Sequence, residues 1–216
     1  MTPTGRDEAA VIRAAASTLG LALDDAALGR MLRFSATLAL WNRRLRLTGD
    51  PDPVRVAEQH IADSLAVMAV LPERGPVIDI GSGQGFPGII LGCARPELQL
   101  VLIESRRRRA SFLREAARQI PLPRVQVLEA RAESVGEPLA GRGRMIVARA
   151  LRFDLLLELA RPLLAPDGRV VAMQMERGIP GARATAARSH FRVCEERRYA
   201  LPDGARRALL VLAAEV

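Results

Sequence analysis

The feature that most constrains this chain is a short, mostly apolar run that empties into glycines: Val77-Ile78-Asp79-Ile80, then Gly81-Ser82-Gly83-Gln84-Gly85-Phe86-Pro87-Gly88. So short a run, bounded by turn residues, predicts a buried strand. Glycines after a strand allow tight turning and close approach of the backbone to a ligand. The loop should open a helix, whose N-terminus favours an anion, either a phosphate or a carboxylate. A second run, residues 98–103, ends at Glu104, 23 positions after Gly81. A carboxylate there can accept hydrogen bonds from both hydroxyls of an adenosine ribose. Loop and carboxylate together point to an adenosine-bearing ligand. Gly83, Gly85 and Gly88 also satisfy G-x-G-x-x-G, so spacing leaves a dinucleotide and S-adenosylmethionine both open.

The flanking sequence sets this loop in an alternating pattern. Residues 106–119 read as a helix, 125–128 as a third strand and 145–148 as a fourth. A helix near 154–163 then leads through Pro166-Asp167-Gly168 to a fifth strand at 169–173. Such alternation predicts a doubly wound α/β fold with a mostly parallel sheet and right-handed crossovers. Residues 191–199 and 207–212 read as two more strands, joined through Leu201-Pro202-Asp203-Gly204, and should pair antiparallel. The result is a mixed, seven-stranded sheet with an antiparallel C-terminal hairpin. Before it, apolar residues recur at helical spacing in 9–19 and 28–47, with Asp24 or Asp25 as cap, and a third helix is expected over 54–71. Residues 1–72 are therefore expected to form a helical extension packed on a core of residues 73–216, the whole a single compact unit.

The 216 residues are 49% hydrophobic, enough for one globular unit with a sizeable core. The formal net charge is +8, and all 32 basic residues are arginine. That balance fits either an anionic partner, such as nucleic acid or an anionic membrane, or an arginine-rich solvated surface. Cys93 and Cys194 are far apart, which argues against a disulfide framework or a cysteine metal site. No metal-ligand cluster and no membrane-length apolar stretch is seen, and a cytoplasmic protein is expected.

Three further groups of residues are candidates for chemistry. His60, Asp63 and Ser64 fall at i, i+3 and i+4, on one helical face. They lack the geometry of a nucleophilic triad, and either face a pocket or pin the segment to the core. Arg106-Arg107-Arg108-Arg109 opens a helix, where positive charge opposes the dipole; the run is either an RNA-phosphate contact or a solvated face. Arg6, Arg13, Arg43, Arg44, Arg46 and Arg55 add charge to the N-terminal helices, as a lip over the pocket. Rings for base stacking are few (Phe86, Trp41, Phe153), and Trp41 at helical spacing reads as core rather than platform.

Several segments in order resemble one family. They are Trp41-Asn42 with Leu47-Thr48, His60-Ile61-Ala62-Asp63-Ser64-Leu65, the run from Val77 to Ile89, Arg95-Pro96, Glu104-Ser105 with 109–113, Arg131-Ala132-Glu133 and Ala148-Arg149-Ala150. Together they resemble the bacterial ribosomal RNA small-subunit methyltransferase G family (RsmG, also called GidB). The resemblance implies a Rossmann-like, S-adenosyl-L-methionine-dependent enzyme that methylates N7 of a guanine in 16S ribosomal RNA, free or in the 30S subunit. It implies a cofactor site lined by Gly81, Phe86, Ala132, Glu133 and Arg149, to which the loop reading adds Ser82, Gly83 and Glu104. His60, Asp63 and Ser64 become acceptor-pocket candidates, and Arg106, Arg107, Arg109 and Arg177 candidate RNA contacts. Arg149 would pair with the methionine carboxylate, an RNA phosphate or a carboxylate on a neighbouring helix. The sequence departs from the family where a lysine usually follows the fifth strand: Gln174 stands there, with Arg177 the nearest cation. Guanine N7 carries a lone pair and no proton, so no general base is required. A monomer without protein partners is expected. The rival readings are a methyltransferase of another RNA, a protein or a small molecule, and a non-enzymatic RNA-binding module.

Overall fold

The structure, a computed structural model, describes residues 7–215; Arg6 of the expected arginine lip lies outside them. Helix α1 (Glu8–Thr18) starts at Asp7, whose carboxylate accepts from the Ala9 N–H. Helix α2 (Asp25–Leu45) is capped by Asp24, which accepts from the Ala27 N–H, and ends at Arg46 in the left-handed region. The third expected helix runs without a break from Pro53 to Val70 but is not α-helical throughout. It comprises α3 (Pro53–Val56), one π-helical turn (Ala57–Ile61), α4 (Ala62–Ala66) and a 3₁₀ turn (Val67–Val70). Inside it the Ser64 hydroxyl donates to the His60 carbonyl at 2.7 Å, a back-bond of the kind that bends helices.

Seven strands form one sheet in the order β3-β2-β1-β4-β5-β7-β6. They are β1 (Val77–Ile80), β2 (Leu100–Glu104), β3 (Val125–Glu129), β4 (Gly143–Ala148), β5 (Leu164–Met175), β6 (Phe191–Ala200) and β7 (Arg206–Ala214). The first five are parallel; β7 runs antiparallel between β5 and β6. The chain moves outward from β1 through β2 to β3, then returns to the other side of β1 with β4. That reversal opens a crevice at the carboxyl ends of β1 and β4, where ligands of open α/β sheets bind. Strand β5 is longer than its apolar core of 169–173, because a register shift between Gly143 and Met145 lets Pro166-Asp167-Gly168 join the ladder.

Alternation along the strands divides the core. Ile78, Ile80, Ile103, Ile146 and Val170 face α7 (Phe153–Ala160) and α8 (Ile179–Arg188). Leu102 faces the other side, where Phe34 and Met31 of α2 pack with Ile61, with Ile89 of α5 (Gly88–Ala94) and with Phe112 of α6 (Arg107–Gln119). Helix α8 has no counterpart in the sequence reading. It buries only Ile179, Ala182 and Ala186, and alanines among arginines give little periodic signal.

Gly88 sets the distance between α5 and the sheet. A Cβ there would stand 2.3 Å from Leu102 Cδ2 and 2.7 Å from Asp79 Oδ2. Gly88→Ala should therefore lower stability by about 1–3 kcal/mol through overpacking. Gly181→Ala, in α8 with open space around it, should raise stability by up to about 1 kcal/mol. Urea unfolding of both variants checks this; a Gly88→Ala protein as stable as the parent would refute the close-packing account.

Candidate active site

The loop after β1 is held from below and from the side. Asp79, wholly buried, accepts from the Gly88 N–H through Oδ2 at 3.0 Å, while its Oδ1 has no hydrogen-bond partner. The Ser82 hydroxyl donates to the Asp79 carbonyl at 2.9 Å. From the side, Glu104 Oε2 accepts from the Gly83 N–H at 3.0 Å and Oε1 from the Arg106 N–H at 2.7 Å. The loop turns through Gly81 (φ 72°) and Gly83 (φ 53°), a conformation that glycine adopts without strain.

Two cavities meet at Gly81. The first, of about 150 Å³, is walled mainly by apolar side chains, among them Ile103 and Leu155, with Glu104, Ala132 and Glu133 at its edge. The second, of about 330 Å³, is lined by His60, Ser82, Gly83, Phe86, Arg109 and Arg149, together with Gln84 and Ala150. The candidates for the cofactor site thus fall on the two sides of one glycine. Asp63 and Ser64 line neither cavity. Both are buried, and Ser64 spends its hydroxyl on the His60 carbonyl. The face carrying H-x-x-D-S is split: His60 reaches the cavity, and the other two pin the segment. Arg106 and Arg107 are exposed at the start of α6, beside the cavity that Arg109 enters. Arg177 lies apart, in an open cleft of about 570 Å³ with Arg206 and Arg207.

Behind the second cavity runs a chain of polar contacts. Tyr199 donates its hydroxyl to Asp63 Oδ1 at 2.7 Å, and Asp63 Oδ2 holds Arg149 Nε at 3.1 Å. Arg149 Nη2 lies 2.8 Å from His60 Nδ1 and donates to the Gln59 carbonyl at 3.2 Å. Its guanidinium stands 5.7 Å from the centre of the Phe86 ring, which also meets the His60 ring at 5.0 Å. Burial, reinforced by the Arg149 charge, pushes the His60 pKa down to about 4. The imidazole is neutral at physiological pH; Nδ1 accepts from Arg149, so the proton sits on Nε2. Burial and the adjacent Asp63 charge raise the Tyr199 phenol well above its ordinary value, so it stays a donor. In the sequence reading Tyr199 only ends a strand and is not a site candidate. It is the chain's only tyrosine, but it lies 136 residues from Asp63, on a strand whose preceding residues are Glu195-Glu196-Arg197-Arg198.

A family model described as rRNA small subunit methyltransferase G (GidB) matches residues 27–206. The chain belongs to this family. Among its relatives, the ribosomal RNA small subunit methyltransferase G of Halorhodospira halophila (strain DSM 244 / SL1) is 39% identical over 160 residues, 74% of this chain and 75% of that protein. The protein of the same name from Anaeromyxobacter sp. (strain Fw109-5) is 36% identical over 190 residues, 86% and 87% of the two chains. Among solved structures, the Burkholderia thailandensis 1,6-didemethyltoxoflavin-N1-methyltransferase, with bound 1,6-didemethyltoxoflavin and S-adenosylhomocysteine, superimposes with a TM-score of 0.60. It is 14% identical and covers 84% of this chain and 89% of its own. The fold of this rRNA small subunit methyltransferase G family member is therefore the Rossmann-like one expected, with the C-terminal strands antiparallel.

Two groups of the site, the buried Asp79 and the half-buried His60, respond to pH in opposite directions. Burial raises the Asp79 carboxyl from 3.8 to about 7, so between those values the folded state binds more protons than the unfolded one, and this contribution to stability is lost as pH rises. His60, depressed from 6.5 to about 4, binds fewer protons when folded, so its contribution is lost as pH falls through that window. Asp79→Asn removes only the first. Acidification from pH 7 to pH 4.5 should therefore destabilise Asp79→Asn more than the parent, read as the shift in urea midpoint. Parallel pH profiles of the two proteins would mean that Asp79 is already charged in the fold.

Proposed function

We propose that this chain transfers a methyl group from S-adenosyl-L-methionine to N7 of a guanine in 16S ribosomal RNA. The observation that carries the reading is the pair of cavities joined at Gly81, one largely apolar with Glu104 and Glu133 in its lining, the other walled by cations and aromatic rings. The first fits an adenosine. Ile103, Ala132 and Leu155 offer apolar surface to a purine, and Glu104 can accept from ribose hydroxyls, since each of its oxygens holds one backbone N–H and keeps a further lone pair. Arg149, on the wall of the second cavity, suits the carboxylate of a methionine chain passing Gly81. When bound, the cofactor supplies an electrophilic methyl group on a sulfonium.

The second cavity fits a purine acceptor. Phe86 offers a ring face, and the His60 Nε2–H, which has no partner among the described residues, is a donor for a carbonyl such as guanine O6. A side chain with a pKa of about 4 is a poor general base at neutral pH. That favours an acceptor nitrogen that already carries a free lone pair, such as guanine N7, over an N–H or O–H nucleophile. The chain's contribution is then to hold the acceptor and exclude water. Arg109 at the cavity, with Arg106 and Arg107 beside it and Arg177 in its separate cleft, would meet RNA phosphates in the 30S subunit or the free RNA. The reading includes a monomer in the cytoplasm, with residues 1–72 as an extension of the core. No helix among the described residues is long and apolar enough to cross a membrane.

The test supplies methyl-labelled S-adenosylmethionine with 30S subunits lacking the modification, naked 16S RNA, or total protein. Label at guanine N7 of the RNA is expected. Glu104→Ala should weaken cofactor binding at least about tenfold, the effect of losing one charge-assisted hydrogen-bonding group, and Arg109→Ala should reduce the salt slope of RNA binding by about one. Label in protein alone, or none despite tight cofactor binding, would overturn the reading.

A further inference from the structure

A groove at the C-terminal end of α2 belongs to neither cavity of the site. Leu40, Trp41, Arg44 and Leu45 line it, and it encloses about 260 Å³. Leu40 is 62% exposed, one of two large apolar side chains in water among the described residues. Trp41 packs one side against Phe112, with ring centroids 5.8 Å apart, and is only half-buried. The indole is thus held in place while part of it walls the groove.

The groove adjoins the acceptor cavity. Gln84, which lines that cavity, donates through Nε2 to the carbonyl of Leu47, two residues beyond Leu45. Phe112, the support of Trp41, lies on α6 one turn after Arg109, which enters the same cavity.

Charge adds to this picture. In a chain with no lysine the number of arginines says little, and arginines elsewhere, among them Arg33, Arg74, Arg124 and Arg142, also lack an ion pair among the described residues; what matters here is that the groove's own cation is unneutralised. Arg13, Arg114, Arg118, Arg144 and Arg183 each hold a carboxylate. Arg43, Arg44 and Arg46 around the groove, and Arg106, Arg107 and Arg108 at the start of α6, make no ion pair and no side-chain hydrogen bond among the described residues. No acidic residue lines the groove. An apolar slot with a fixed indole and an unneutralised cation, Arg44, in its lining complements a polyanion that carries flat apolar faces. Single-stranded nucleic acid is recognised this way, by stacking on rings with cations on the phosphates, whereas a duplex hides its base faces.

We propose that this groove is a subsite for an unpaired base of the RNA substrate other than the methyl acceptor. The base stacks on Trp41 between Leu40 and Leu45, and Arg44 meets its edge or the adjoining phosphate. The subsite rests on the reading of RNA as substrate, and it extends the contact from the reacting nucleotide to a flanking one.

Trp41 is the only tryptophan, so its fluorescence reports on the groove directly. The probes are a short unpaired RNA oligonucleotide and an abasic oligonucleotide of equal length, which keeps the phosphates and lacks the bases. Quenching by the first and not by the second is expected. Leu40→Glu, at an exposed position where folding is not at stake, should weaken that binding by about fivefold or more. In the methylation assay it should raise KM for RNA, with kcat and S-adenosylmethionine affinity unchanged. Equal quenching by both oligonucleotides, or an unchanged KM for Leu40→Glu while the parent methylates RNA, overturns the subsite and leaves the function standing. Burial of Trp41 on 30S subunits but not on naked RNA would assign the groove to a protein and likewise overturn it. If the parent binds cofactor yet methylates no RNA, the function itself falls, and the subsite with it.

Discussion

The Glu104 carboxylate holds the backbone N–H of Gly83 on one oxygen and that of Arg106 on the other. It stands at the end of a buried strand, between the loop that follows β1 and the helix that follows β2, and fixes each against the other. The second of these bonds has an electrostatic consequence. Helix α6 opens with arginines and has no side-chain cap, an arrangement that the helix dipole opposes. A carboxylate on the N-cap N–H offsets that repulsion, so four consecutive arginines can stand at the start of the helix. Glu104 thus serves the scaffold while it walls the first cavity.

The second cavity depends on a different buried carboxylate. Asp63 gathers Arg149 from just after β4 and Tyr199 from β6, and Arg149 in turn holds His60 in the π-helical turn. Burial lowers the Arg149 pKa and the Asp63 charge opposes that shift, so the cation is held where it lines the cavity. Elements remote in sequence therefore make one wall. The π-helical turn is part of the same design: it interrupts the helical repeat where His60 faces the cavity and Asp63 and Ser64 face the core.

Much of this was legible in the sequence, because it rests on local signals. The strand-glycine-helix run, the carboxylate after the second strand and the Leu201–Gly204 turn each follow from short-range chemistry, and they located the sheet, its antiparallel end and the residues around Gly81. Asp24 as the cap of α2 was legible in the same way, as one of two candidates. What was not legible depends on distance. Tyr199 acquires its role only when β6 returns beside the N-terminal helices. The division of labour among His60, Asp63 and Ser64 depends on a widened turn that no periodicity announces. Helix α8 hides because its buried face is largely alanine. Arg149 admitted three partners on paper; the fold gives it Asp63 while leaving it on the cavity wall.

The central claim is that Gly81 is the point where a nucleoside cavity passes into an acceptor cavity. It is tested most directly by a crystal structure of this chain with S-adenosylhomocysteine. The account predicts ribose hydroxyls on Glu104, adenine beside Ala132, and the amino-acid end passing Gly81 toward Phe86 and Arg149. A nucleoside bound without touching Glu104, or seated in the Arg177 cleft, would contradict it.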